Sequence, residues 1–331
     1  MNYSGKAPRA LGLRNTIDMR YFLALLLTAF FAGSLSAQVK GPGFSVTKIG
    51  DGVYAALGED GGAAGSNAGF IIGSNGVAVV DTFTAVAPAK ELLAEIRKVT
   101  NQPIKYVINT HYHLDHVGGN AVFADVGATI IAQRNVAAWE RTENLKFFGV
   151  NPSPERRALV EALVLPNKTY TDKIDLDLGN RVVRVRYMLG HTGGDSVVFV
   201  RDKNSDVVFG GDIVWQKHLP NLIDASTAPW IETLNKLLME HPKATFVSGH
   251  GGLATATDVK DFRDYLVALR TDIAKAQTEG KAGDDLVTTV TSELKPTYGS
   301  WGFFNYFIKP DITFTASELK GTKKIPVLAK E

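Results

Sequence analysis

Thr110-His111-Tyr112-His113-Leu114-Asp115-His116, residues 110–116, is the most informative segment of this 331-residue chain. It follows apolar residues 106–108, which predict a buried strand, and it precedes residues 117–120, where a helix is predicted to begin. The ligand-type side chains therefore stand at the carboxyl end of a strand. In α/β proteins this is where loops carry polar groups without disturbing the core.

The spacing within this segment indicates two metal ions. Two histidines two residues apart, His111 and His113, converge on one ion when the strand end bends, whereas the adjacent pair Asp115-His116 points elsewhere. One loop then supplies ligands to both ions. Imidazole nitrogen and carboxylate oxygen, without thiolate, favour zinc, with iron and manganese as the alternatives.

Three later residues extend the pattern: His191, Asp212 and His250 each follow a strand-like apolar run and stand beside glycine. Taken singly, each is interpreted as an ordinary loop residue. As a set in this order, they indicate the second half of one site. The remaining histidines, His218 and His241, have no place in this set and are interpreted as structural or surface residues.

From about residue 44 to residue 250 the chain resembles the metallo-β-lactamase superfamily, because its motif of two histidines, an aspartate and a histidine matches the block described above. The resemblance implies an α/β fold, a four-layer αβ/βα sandwich with two Zn²⁺ ions at one edge. It also implies a division of the ligands: His111, His113 and His191 on the first metal, Asp115, His116 and His250 on the second, and Asp212 bridging them.

The chain departs from the best-known lactamase subclass because it contains no cysteine. Asp212 stands where the thiolate ligand of that subclass is expected, so the ligand set instead resembles that of glyoxalase II enzymes and lactonases. Asp81 matches a superfamily aspartate that supports the ligands. The alternative for Asp81 is a turn residue that caps the next helix.

Residues 1–37 are predicted to be a signal peptide. Arg14 and Arg20 precede an apolar run over residues 21–32 and small residues up to Ala37, after which cleavage is expected. Because the run is shorter than the ~20 residues of a membrane span, no stable membrane anchor is expected. The chain is thus predicted to be periplasmic or secreted, with Met1 and Met19 as alternative starts.

Charge excludes a nucleic-acid partner. Removing residues 1–37 takes away four basic residues and one acid, so the formal net charge falls from +2 to −1. No basic stripe remains that could bind a phosphate backbone. A small-molecule substrate is the expected partner, and the sequence does not indicate an oligomeric state.

Residues 38–255 are predicted to form one metallo-β-lactamase-fold domain. Strands are expected over residues 44–57 around a turn at 50–52, over 69–72 and 77–80 as a hairpin, and over 182–187, 197–200 and 207–209, with an amphipathic helix over 86–99. Two strand-rich halves, each with metal ligands, fit the four-layer architecture.

Residues 256–331 are predicted to be a C-terminal helical and aromatic extension packed on the same domain. Apolar spacing predicts helices over residues 257–276 and 284–294. The tail over residues 298–314 gathers seven aromatic residues. Packing of these rings onto the sandwich is the preferred interpretation, and a dimer contact or a wall of the substrate cleft is the alternative.

Substrate contacts are assigned to three residues that follow Asp212 closely: Trp215, Lys217 and Asn221. The glycine-rich segment over residues 58–66 is either a flap over the metals or a plain loop. Three aromatic residues between the two halves of the site are expected in the core rather than in the cleft: Trp139, Phe147 and Phe148.

These patterns predict an exported dinuclear zinc hydrolase that opens a cyclic amide or ester, with a β-lactam as the preferred substrate and a metal-bridging hydroxide as the nucleophile. Asp115 would orient this hydroxide and pass its proton to the leaving group. The alternatives are a lactonase, a glyoxalase II-like thioester hydrolase, which the secretion signal disfavours, and an iron-dependent persulfide dioxygenase-like oxidoreductase. No Gly-x-Ser-x-Gly motif supports a serine nucleophile.

Overall fold

The computed structural model describes residues 43–203 and 205–326, so the predicted signal peptide lies outside the described residues. The first sheet has seven strands that neighbour one another in chain order. Strands β1 to β4 pair antiparallel and β4 to β7 pair parallel. The strands are β1 (Phe44–Gly50), β2 (Val53–Gly58), β3 (Ala68–Ile72), β4 (Val77–Val80), β5 (Ile104–Ile108), β6 (Thr129–Gln133) and β7 (Lys168–Tyr170).

The second sheet has six strands in the order β13-β12-β11-β10-β9-β8. They are β8 (Lys173–Asp177), β9 (Val182–Tyr187), β10 (Ser196–Arg201), β11 (Asp206–Trp215), β12 (Thr245–His250) and β13 (Leu253–Ala254). Strands β11 and β12 pair parallel, and the other neighbours pair antiparallel.

Helices connect and cover the sheets. In chain order they are α1 (Val86–Val99), α2 (Leu114–Val117), α3 (Asn120–Ala124), α4 (Arg134–Trp139), a 3₁₀ helix (Asn144–Phe148), α5 (Pro154–Glu161), α6 (Thr227–Glu240), α7 (Ala256–Thr278), α8 (Gly283–Tyr298) and α9 (Phe304–Leu319). Helix α7 begins with a capping box, in which Thr255 and Asp258 satisfy each other's backbone amides. Among the described residues, no helix is long and apolar enough to span a membrane.

Three apolar cores define the layers. Between the sheets, Ile71 and Val80 pack with Val198 and Phe209 of the opposite sheet. On the outer face of the first sheet, α1 and α3 bury their apolar sides against β4 and β5. On the outer face of the second sheet, α6 to α9 form the largest core. The order helix, sheet, sheet, helix confirms the predicted four-layer αβ/βα sandwich.

Local predictions agree with these elements where periodicity was strong. Helix α1 has the predicted bounds, and the hairpin of β3 and β4 is present. Helices α7 and α8 extend the two predicted C-terminal helices by a few residues. Helix α9 was not predicted, because it contains Pro310 and its aromatic residues give no polar face.

Candidate metal centre

The first ligand block lies between strand β5 and the helices that follow it. His111 lies on a bend after the strand, His113 has extended backbone at the N-cap of α2, and Asp115 and His116 lie on the single turn of α2. The two pairs therefore present their side chains from different backbone conformations. This local change of structure is what allows one short segment to contribute to two groups of ligands.

The first group of ligand-type side chains is His111, His113, His191 and Asp212, all buried. His113 Nδ1 and His191 Nε2 face each other at 3.0 Å, and His191 Nε2 lies 3.2 Å from Asp212 Oδ2. His111 Nε2 points toward the same carboxylate oxygen at 3.8 Å and has no hydrogen-bond partner. Three imidazoles thus converge on one carboxylate.

The second group is Asp115, His116 and His250. Asp115 Oδ2 lies 3.3 Å from His250 Nε2 and 3.6 Å from His116 Nε2. The side chain of Asp115 is about one-third exposed, whereas His116 is fully buried. Within each group the ligand atoms lie within 4.8 Å of one another, which is the spread expected around a single ion.

Asp212 lies between the two groups. Its Oδ1 is 3.1 Å from His116 Nε2, and its Oδ2 is 3.6 Å from His250 Nε2, in addition to the contacts with the first group. A β-carbon at Gly249 would lie 1.8 Å from Asp212 Oδ1, so only glycine leaves room for the carboxylate. The geometry fits a carboxylate shared by two ions.

Asp212 differs from its predicted setting in one respect. It lies inside the ten-residue strand β11 rather than at a strand end. The register between β11 and β12 shifts around Gly211, whose φ of +49° is in the left-handed region. This irregularity turns the side chain of Asp212 out of the alternation of the sheet and toward the histidines.

Electrostatics favour cations here. Burial lowers the pKa of His111 well below its usual value and that of His191 to about 3, so both imidazoles are neutral, the form that binds a metal. Burial also acts to lower the pKa of His250, but the carboxylates of Asp212 and Asp115 outweigh it and raise that pKa to about 9. The two carboxylates therefore stabilise positive charge at this position, as they would stabilise a divalent cation.

The donor set fits two metal ions. Its seven residues offer only imidazole nitrogen and carboxylate oxygen, which suit divalent zinc, iron or manganese. The uncoordinated Nε2 of His111 is a buried polar atom that the protein itself leaves without a partner. A buried nitrogen without a partner destabilises the folded state, and coordination of a metal ion would remove this penalty.

Asp81 supports the ligands and does not cap a helix. Its carboxylate accepts hydrogen bonds from Thr110 N at 2.8 Å and Thr110 Oγ1 at 2.7 Å, and its Oδ2 lies 2.8 Å from His116 Nδ1. The residue at the N-cap of α1 is Ala85. Asp81 therefore fixes the ring of His116 with Nε2 facing Asp212.

Asp81→Asn is expected to lower metal affinity and kcat/KM by about 10–100-fold. Asparagine tolerates the positive φ of 57° at this position, but its side-chain nitrogen cannot accept a hydrogen bond from His116 Nδ1. Competition titration with a chromophoric chelator measures the affinity. The control is Asp125→Asn, an exposed carboxylate beyond the site. Equal affinities for the two variants would show that Asp81 does not position His116.

Residues far apart in the sequence support His113. Asp224 Oδ2 lies 3.9 Å from His113 Nε2, accepts a hydrogen bond from Tyr112 Oη, and receives Lys146 Nζ at 2.6 Å. Although burial acts to raise the pKa of Asp224, the nearby imidazole of His113 and the charge of Lys146 hold that pKa well below its usual range. Sequence reasoning missed Asp224 and Lys146, which carry no motif.

Two further networks fix the ligand loops. Asn144 accepts a hydrogen bond from Leu114 N at 3.0 Å and donates to Tyr112 O at 2.7 Å, so it holds both sides of His113. Asp195 accepts from Thr192 N and Gly190 N, which flank His191. These bonds hold the ligand loops in place before any ion binds.

Both ligand groups open into a cleft of about 360 Å³. Trp215 and Asn221, two of the predicted substrate contacts, line it, and Trp215 stacks on His250 with ring centroids 4.3 Å apart. The third, Lys217, is exposed and is not among the lining residues. The segment over residues 58–66 contributes Gly62, Ala63 and Gly65 to the lining of the cleft.

Aromatic residues from two regions complete the cleft. Trp139, Phe147 and Phe148 are buried in cores as expected, and Phe147 also lines the cleft beside His113. In the C-terminal tail the rings divide between two roles. Phe304 packs into the core on the second sheet, and Phe303, Tyr306 and Phe307 line the cleft. The tail thus forms a wall of the cleft as well as packing on the sandwich.

The two remaining histidines lie outside both ligand groups, as predicted. His218 Nδ1 contacts Gln216 O at 2.8 Å, and its ring packs against Phe303. His241 stacks on Phe199 and lies 3.0 Å from Asp206 Oδ2.

Comparisons with known proteins agree with this centre. The family model described as "Metallo-beta-lactamase superfamily" matches residues 61–250, more than half of the chain. The chain is 25% identical over 239 residues to the metallo-beta-lactamase type 2 of Bacteroides fragilis, covering 69% of this chain and 88% of that protein. It is 28% identical over 242 residues to metallo-beta-lactamase IND-1 of Chryseobacterium indologenes, covering 70% and 91%.

A third relative is longer. The linear primary-alkylsulfatase of Pseudomonas sp. (strain ATCC 19151) is 21% identical over 255 residues, which are 65% of this chain and 48% of that protein. The chain thus spans about half the length of this relative. Among solved structures, a metallo-beta-lactamase from Pontibacter korlensis superposes with a TM-score of 0.56 at 24% identity, covering 68% of this chain and 99% of that one. This last likeness shows the fold alone.

Proposed function

The chain belongs to the metallo-β-lactamase superfamily and is a metal-dependent hydrolase, and we propose that it uses two Zn²⁺ ions to open a cyclic amide or ester. One observation carries the proposal: Asp212 joins two groups of ligands at the floor of a single cleft. When bound, the paired cations would supply a water of lowered pKa and would polarise a carbonyl.

The protein's own residues would bind and orient the substrate. His111, His113 and His191 would hold the first ion, and Asp115, His116 and His250 the second, with Asp212 shared. Trp215 and Phe147, which line the cleft, would pack against the apolar part of the substrate. Water would add to the carbonyl carbon, the ring C–N or C–O bond would break, and a proton would pass to the leaving atom.

Asp115 is the residue we assign to this proton transfer. Its carboxylate is about one-third exposed and lines the cleft, whereas the other carboxylate of the site, Asp212, is buried. Its Oδ2 is oriented by His250 at 3.3 Å, and its backbone carbonyl accepts a hydrogen bond from Ser66 Oγ at 2.6 Å. A fixed carboxylate at the open side of the site can receive a proton and release it to the leaving group.

A β-lactam is one cyclic amide that fits, and the relatives from B. fragilis and C. indologenes named as metallo-beta-lactamases support it. A lactone is the second candidate, because no lysine or arginine is found among the described residues that line the cleft. Penicillins, cephalosporins and carbapenems carry a carboxylate next to their reactive ring. A neutral lactone needs no cationic side chain.

We expect the zinc-loaded protein to hydrolyse at least one β-lactam or lactone, because activated water beside a polarised carbonyl attacks a strained ring readily. The measurement is a turnover screen of β-lactams, lactones, thioesters, alkyl sulfates and phosphodiesters, repeated with a chelator. Turnover of lactones alone would select the second candidate. Turnover of phosphodiesters or alkyl sulfates alone would contradict the proposal.

We also propose export to the periplasm or the medium, on the charge and apolar pattern of residues 14–37. Cell fractionation and N-terminal sequencing are expected to find a mature chain that begins near Gln38. A cytosolic protein that retains residues 1–37 would contradict export and would make a cytosolic thioester substrate the better candidate.

A further inference from the structure

The C-terminal segment forms one wall of the cleft, and this wall lies outside residues 61–250, which match the family model. It consists of Phe303, Tyr306, Phe307 and Pro310 at the start of α9. We call it the aromatic wall. The ring of Phe303 lies 6.0 Å from that of His250, so the wall begins beside a proposed metal ligand.

Backbone hydrogen bonds fix the aromatic wall to the segment that follows Asp212. Gly302 N donates to Lys217 O at 2.9 Å, and Leu219 N donates to Gly302 O at 2.9 Å. Phe303 has a left-handed backbone with a φ of +62°. A bulky residue adopts this conformation only where its surroundings impose it, so the position of the ring is built into the fold.

The cleft contrasts apolar walls with a charged floor. Apart from the ligand histidines His113 and His250, its charged lining side chains within the described residues are Asp115 and Asp212, which also belong to the ligand groups, and no lysine or arginine is among them. If the reacting carbonyl of a substrate lies at the floor, an anionic group at the far end of that substrate lies against the aromatic wall. There it has no cationic side chain to pair with. Burying an unpaired charge is strongly unfavourable, whereas burying alkyl or aryl surface is favourable.

We propose that the substrate is an uncharged ester or lactone with an extended apolar chain, and that the aromatic wall binds this chain. This inference rests on the proposed hydrolase function and specifies its substrate class. The volume of about 360 Å³ falls in the range of sites for small organic ligands, so it can hold a chain as well as the reacting ring.

Chain length gives the first test. In a series of γ-lactones with unbranched alkyl substituents from methyl to octyl, we expect kcat/KM to rise by up to about fourfold per methylene until the wall is covered. A lactone of equal size with a terminal carboxylate is expected to be at least tenfold poorer. Flat kcat/KM across the series, or better turnover of the carboxylate or of an alkyl sulfate of matched length, would overturn the inference.

Matched variants on one helix give the second test. Phe307→Ala removes a ring from the aromatic wall and is expected to lower kcat/KM about tenfold or more for the octyl lactone, and much less for the methyl lactone. Phe314→Ala on the same helix removes a ring that packs on the core and does not line the cleft. If kcat/KM depends on alkyl length in the same way in both variants, the alkyl chain does not bind at the aromatic wall.

A binding measurement separates this inference from the hydrolase proposal. Isothermal titration with 2-alkanones, which are uncharged and are not hydrolysed, is expected to show affinity that increases from 2-hexanone to 2-decanone and is lost in Phe307→Ala but not in Phe314→Ala. If nothing is hydrolysed but this pattern of affinities holds, the proposed reaction is wrong and the aromatic wall still binds alkyl chains. If lactones are hydrolysed and the alkanones bind equally well to both variants, the aromatic wall does not bind the alkyl chain.

Discussion

Asp212→Ala is expected to lower kcat/KM by at least about 100-fold and to leave the protein with fewer than two bound ions. The loss of a residue that merely supports a ligand costs on the order of 10–100-fold, and Asp212 lies within 3.8 Å of ligand nitrogens from both groups. Without it, the first group loses a ligand, the second loses the carboxylate that it would share, and the spacing between the ions is no longer fixed. Steady-state kinetics and elemental analysis of the purified variant measure the two effects.

Two further variants sharpen this prediction. Asp212→Asn keeps the shape but removes the negative charge, so it is expected to retain more metal than Asp212→Ala while still losing activity. His241→Ala is the control, since His241 lies near Asp206 and Phe199, outside both ligand groups. If Asp212→Ala keeps two ions and near-normal turnover, Asp212 does not bridge.

Removal of metal is expected to abolish hydrolysis and to lower the Tm by on the order of 10 °C. A ligand present at about 1,000 times its Kd stabilises the folded state by about 4 kcal/mol, and each kcal/mol shifts the Tm of a domain of this size by a few degrees. In addition, the metal-free site leaves His111 Nε2 and other buried polar atoms without partners. Thermal denaturation and kinetics before and after chelation measure both effects.

Restoration distinguishes this loss from irreversible damage. Added Zn²⁺ is expected to return both activity and Tm, whereas Mg²⁺ is not, because Mg²⁺ prefers oxygen ligands and the site offers mainly imidazole nitrogen. Unchanged Tm and turnover after complete chelation would show that the two groups of side chains hold no functional metal.

The part of the site that could be predicted from sequence is the part that is local or periodic. His111, His113, Asp115 and His116 share one short segment, and their spacing alone indicates two ions. Strand alternation and the helical period likewise predicted β3, β4 and α1, since these elements bury one or both faces in a core. The four-layer fold was predicted because the ligand motif resembles that of the metallo-β-lactamase superfamily.

The rest depends on contacts between distant parts of the chain. Asp224 supports His113 from 111 positions away, and no motif in its sequence neighbourhood distinguishes it. The bend of β11 that turns Asp212 inward arises from its register with β12 and not from local propensity. Phe303 stands beside His250 only because backbone bonds from Gly302 fix it there, so the aromatic tail alone could not distinguish core packing from a cleft wall.

The most direct test of the two-metal centre is elemental analysis of the full-length protein, loaded with Zn²⁺ and freed of excess by gel filtration. Two zinc ions per chain are expected, because His111, His113 and His191 complete one set of ligands and Asp115, His116 and His250 another, with Asp212 common to both. His250→Ala is expected to retain one ion. A wild-type protein that binds a single ion, or none, would contradict the account.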